Sequence, residues 1–187
     1  MDAFAHLSVL ISIVLGLGVT SLLSGLARTV QLRDQVRFYW PVLIWAAVLL
    51  VVHMQVWWAT FGLRDVMVWT FPVFALTLLQ PVLLYFVSAL VLPDFDRDDA
   101  LDLRANYFRH ASWFFGAFAV LLVVSLARSY ATYGRLPDPA DTLFHLAFML
   151  AASACAIYRS EMLHKLGAIA AVIGISAYVG LLFMALR

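Results

Sequence analysis

Six long apolar runs, and the little that separates them, leave this chain few ways to fold. They cover residues 5–27, 39–60, 66–92, 107–130, 141–158 and 163–185, and each is close to the ~20 apolar residues that an α-helix needs to cross a hydrocarbon core. In lipid every backbone N–H and C=O must find its partner inside the structure, so a span is either a helix or a strand of a closed barrel. The alternation of lipid-facing and lumen-facing residues that a barrel strand requires is absent. The sequence therefore predicts an all-α, polytopic membrane protein, a six-transmembrane-helix bundle that forms a single integral membrane domain over residues 1–187. Composition agrees: 65% hydrophobic residues, 12% charged residues and a mean hydropathy of +0.95 lie outside the range of soluble globular domains.

A formal charge of +1 supplies no concentrated basic face, which excludes nucleic acid as a partner and leaves the lipid bilayer. The segment Met1–His6 has no basic n-region, so the first run reads as a retained helix rather than a cleaved signal. Eight Lys or Arg residues flank the spans on the side of the 1–2, 3–4 and 5–6 connections, against four on the other side. The positive-inside rule then places both termini on the non-cytoplasmic side, and the expected location is a bacterial cytoplasmic (inner) membrane.

Polar groups inside spans are costly and mark the places where function is sought. His53 and Gln55 lie two residues apart in the second run, hence ~200° apart around a helix, and cannot line one pocket together. His53 is the stronger lead, and Gln55 reads as a neighbour of the interfacial Trp57 and Trp58. In the third run Pro81 lacks an N–H, which frees the carbonyl of Thr77 and is expected to bend the helix beside Gln80. Arg128 falls in the outer part of the fourth run, where snorkelling to the surface is the default and an inward charge the alternative. His145 lies in the outer half of the fifth. The ligand or pathway candidates are accordingly His53, Thr77, Gln80, Arg128 and His145, with a polar site expected between helices 2, 3 and 5.

Other features read as architecture. Ser8, Ser12, Gly16, Thr20 and Ser24 recur every four residues in helix 1, a pattern for close helix packing inside the bundle or across an oligomer. Small residues in helices 5 and 6 predict crowded contacts, with Cys155 as packing. Asp94, Asp96 and Asp98 begin like a calcium loop, but Asp99 stands where such a loop needs Gly and Ala105 where it needs Glu. Asp98 and Asp99 are expected to cap helix 4, and Asp141 to cap helix 5.

Span interiors hold no Asp or Glu, and no metalloprotease, serine-hydrolase or phosphate-loop motif occurs. No catalytic residue and no metal site are assigned, and the balance is against an enzyme. The expected function is that of a small ion or solute permeation or binding protein. One alternative is a non-catalytic partner or sensor subunit of a membrane complex, or a homo-oligomer. The other is a haem- or quinone-binding redox subunit, in which His53, His145 and His6 from the outer half would supply haem ligands. No cofactor is otherwise predicted.

Overall fold

The computed structural model describes residues 3–95 and 101–182. Its described residues form six α-helices, α1 (Ala3–Gln31), α2 (Trp40–Ala59), α3 (Phe71–Val91), α4 (Leu103–Tyr133), α5 (Pro139–Ile157) and α6 (Glu161–Leu182), with a short 3₁₀ turn at Thr60–Leu63 after α2. All six are long and apolar enough to cross a membrane, which marks the chain as an integral membrane protein. Around the bundle the neighbours run α1, α3, α4, α5, α6, α2, and α2 also touches α3 and α4. Apolar on every side, α2 is the most deeply buried helix, as a helix without a polar face must be.

Contacts at the helix ends fix the alternation of direction. On the face where α1 begins and α6 ends, called upper here, the Tyr133 hydroxyl donates to the Gly62 carbonyl at 3.3 Å and the Tyr178 hydroxyl to Asp141 Oδ1 at 2.9 Å. On the lower face Ser112 Oγ donates to the Ala156 carbonyl at 2.9 Å, and Arg104 pairs with Glu161 at 2.8 Å. Arg37 exchanges backbone hydrogen bonds with Leu101 (2.7 Å) and Leu103 (3.2 Å), tying the α1–α2 connection to the start of α4.

Helix ends depart from the sequence expectation for identifiable reasons. Helix α3 starts at Phe71 and not at 66, because Thr70 is extended (φ −87°, ψ 155°) and Pro72 occupies the first turn, where its missing donor costs no bond. Helix assignment runs unbroken through Pro81. Helix α4 outreaches 107–130 at both ends. Asp102 caps it by accepting from the Ala105 N–H at 2.9 Å, and Gly134 (φ 67°) closes it with an N–H to the Tyr130 carbonyl at 2.8 Å. Asp98 and Asp99 lie outside the described residues, as does Asp96 of the calcium-like segment. Asp141 does not cap α5 either: Asp138 is the N-cap, and Asp141 sits in the first turn with its carboxylate directed to His145 and Tyr178.

The small-residue stripe on α1 faces outward. Ser12, Gly16, Thr20 and Ser24 are exposed and Ser8 is half-buried, whereas Leu7, Ile11, Leu15, Gly18 and Leu22 face the bundle. Close packing inside the bundle is thus made by a neighbouring stripe. Below the middle of the bundle, Trp45 meets Phe114, Phe115 and Phe118 edge-on at ring separations of 5.5, 5.2 and 6.1 Å, an arrangement favoured by the ring quadrupoles.

Candidate functional site

In the upper half of the bundle a cavity of about 120 Å³ opens between α2, α3, α4, α5 and α6. Four helices present polar groups to it at helical spacing. Helix α3 contributes Thr77, Gln80 and Pro81 at i, i+3 and i+4, and α4 contributes Ser125, Arg128 and Ser129 in the same register. Helix α5 adds Asp141 and His145, again four apart, α2 adds Gln55, and the 3₁₀ turn after it adds Thr60. Tyr178 of α6 completes the wall. The floor is Trp45 and Phe118. Along α4 the lining from Phe118 to Ser129 spans ~16 Å at 1.5 Å per residue.

The hydrogen bonds of this wall have a determined direction. His145 Nδ1 lies 2.9 Å from both the backbone carbonyl and Oδ1 of Asp141. A carbonyl oxygen only accepts, so Nδ1 carries a proton. With neutral imidazole, Nε2 is then an acceptor, and the Ser125 hydroxyl at 3.1 Å donates to it. The Ser125 oxygen is left to accept from Gln80 Nε2, a long contact at 3.5 Å, which also settles which end of the Gln80 amide faces Ser125. One chain of bonds therefore runs from Gln80 near mid-membrane through Ser125 and His145 to Asp141, where Tyr178 donates from the other side.

Arg128 stands beside this chain without joining it. Its Nε is shielded from solvent and has no hydrogen-bond partner, and its guanidinium makes no ion pair among the described residues. Asp141 and Tyr178 are close enough to interact with its charge, but the Asp141 carboxylate is already held by His145 and Tyr178. Arg128 thus turns inward to the cavity instead of snorkelling. The residue is partly exposed, and its Nε is removed from water without a paired anion, which is costly in a membrane interior.

The structure brings together Thr77, Gln80, Arg128 and His145, and leaves His53 out. His53 is buried, bonds through Nδ1 to the Leu49 carbonyl at 2.8 Å and turns Nε2 against Gly18 of α1, where a Cβ would collide with the ring. That Nε2 is closed off from solvent and has no hydrogen-bond partner among the described residues. The polar residue of α2 that reaches the cavity is Gln55, on the opposite side of the helix. Of the other histidines considered as haem ligands, Nε2 of His145 faces Ser125, and His6 is exposed.

Sequence reasoning missed Ser125, Asp141, Tyr178 and Gln55 as members of the site. Ser125 and Arg128 are three apart on one helix face, a signal present in the sequence; nothing in the sequence links Tyr178 to Asp141. It also passed over His164, the most buried histidine. There Nε2–H donates to the Tyr158 carbonyl at 3.0 Å, so Nδ1 accepts from the Tyr107 hydroxyl at 2.9 Å. With both nitrogens engaged and Tyr107, Phe108 and Phe115 around the ring, His164 joins α4 to α6 and offers nothing to a ligand. Comparison with protein-family models, curated proteins and solved structures gave no match to this chain.

Proposed function

We propose that the protein binds a small anionic or strongly polar solute in the upper cavity, with Arg128 as the charged anchor and Gln80, Ser125 and Gln55 as hydrogen-bonding wall. The observation that carries this reading is the Arg128 guanidinium, which lines a cavity with no anion paired to it. Binding in place of permeation is supported by the apolar ring cluster of Trp45, Phe114, Phe115 and Phe118 below the cavity, which offers no polar path onward for a solute. The excess of Lys and Arg on the lower side supports a cytoplasmic lower face, a non-cytoplasmic cavity mouth and a bacterial inner-membrane setting.

Acetate serves as a probe of the anchor. In nanodiscs, saturation-transfer NMR is expected to show acetate contact with the wild-type protein, reduced at least tenfold in Arg128→Gln and partly retained in Arg128→Lys. Equal transfer in wild type and Arg128→Gln would remove the cavity from the function. Acetate flux into liposomes is expected to stay at the protein-free level; protein-dependent flux would replace binding with permeation.

The partner-subunit reading keeps one observation of its own. The small residues of α1 face outward, and no described atom lies within 4 Å of where a Gly16 Cβ would be, so another helix can approach there.

A further inference from the structure

We infer that the ligand is an amphiphile, a single-chain carboxylate of the long-chain fatty acid class, that enters sideways from the bilayer between α5 and α6. This rests on the binding function proposed for the upper cavity and names its ligand. A second cavity of about 200 Å³ lies against the first and shares with it Trp45, Phe118, Phe148 and Ala171. Its lining is apolar, with no charged residue, and lies mostly on α5 and α6. Small residues line it: Ala152 and Cys155 on α5 and Ala171 on α6, with Gly167 and Gly174 letting Cys155 and the Phe148 ring approach the α6 backbone.

The two cavities offer opposite chemistries to one molecule. Ala147, Ala151 and Ala170 line the second cavity and are exposed on the outer surface of the bundle, so this cavity opens toward the level of acyl chains rather than toward water. At the other side of the shared wall stands Arg128, whose planar fork matches a carboxylate. A molecule reaching both needs an anionic head and a hydrocarbon tail. A small hydrophilic anion leaves the apolar cavity unused, and a neutral alkane leaves Arg128 unpaired. The lipid-facing opening supplies the tail without passing it through water, whose cost grows with every methylene.

The test uses a diazirine-bearing palmitate, irradiated with the full-length protein in nanodiscs and mapped by mass spectrometry. Labelling is expected on cavity residues such as Phe148, Cys155 and Gly174, competed by excess palmitate but not by hexadecanol. Arg128→Gln should lower it at least tenfold, Arg128→Lys much less, and Ala151→Trp at the opening should block it while acetate contact persists. Labelling confined to outward residues such as Leu143, Leu150 and Ile157, or equal competition by hexadecanol, overturns the inference. If acetate contact is intact but palmitate does not label the cavity, the amphiphile is wrong and the solute-binding function stands. If neither probe engages Arg128, both fall together.

Discussion

Ser125 is a small side chain in the wall of the upper cavity, and two others depend on it. Replacing it with Ala leaves His145 Nε2 and the Gln80 amide without their partner, and a buried polar group left unsatisfied costs ~1–3 kcal/mol. Ser125→Ala is therefore expected to lower stability by that order, read as a fall in unfolding temperature in nanodiscs; an unchanged midpoint would mean that the chain of bonds is not formed. A second residue-scale case is Gly18. A methyl group there falls on the His53 ring, and overpacking of this kind costs ~1–3 kcal/mol. The penalty of Gly18→Ala should shrink in a His53→Ala background, whereas an equal penalty in both backgrounds would show that the two residues do not touch. Both residues were visible in the sequence as oddities, a polar group and a glycine in apolar helices. Their pairing was not, because it joins positions 35 apart on two helices whose relative rotation no local pattern encodes.

At the level of helices, existence and number were legible and ends were not. Hydropathy specifies a span wherever ~20 apolar residues occur together, and all six helices lie on the six runs. It says little about termini, which are set by single hydrogen bonds. Among Asp98, Asp99 and Asp102, all suitable N-caps by type, geometry selects Asp102. Asp102→Ala should cost ~1 kcal/mol while Asp102→Asn, which caps as well, costs only a few tenths; equal losses from the two would transfer the effect to its charge near Arg37, 3.8 Å away. Asp141 shows the converse. Its position in the first turn of α5 invited a capping role, yet its carboxylate is occupied by a histidine one turn along and by a tyrosine from α6.

For the molecule as a whole, the main obstacle to reading the sequence is the solvent itself. Lipid tails are as apolar as a protein interior, so no hydrophobic force separates inward from outward faces and no binary pattern records them. This is why the sequence leaves open whether the small-residue stripe of α1 packs inside the bundle or across an oligomer, and whether Arg128 turns to the surface or to the cavity. The contrast between Gly16 and Gly18 tests the α1 orientation. Gly16→Leu should leave the isolated protein within ~0.5 kcal/mol of wild type, as exposed substitutions do, while Gly18→Leu should prevent normal folding; comparable damage from both, seen in detergent-solubilised yield and unfolding temperature, would require α1 to be rotated. If a second helix does occupy the α1 stripe, Gly16→Leu would instead shift the oligomeric state while leaving the fold intact.

The fixed sense of the hydrogen bonds around His145 carries one more consequence. Because Asp141 holds the proton on Nδ1, the only place for another is Nε2, which now accepts from Ser125. A proton arriving there would compel Ser125 to accept in place of donating, and its hydroxyl hydrogen would have to swing into the cavity. No heavy atom needs to move. Uptake of one charge near the upper face would thus be registered deeper in the membrane as a reversed dipole, converting a wall that holds its hydrogen away from the cavity into one that offers it.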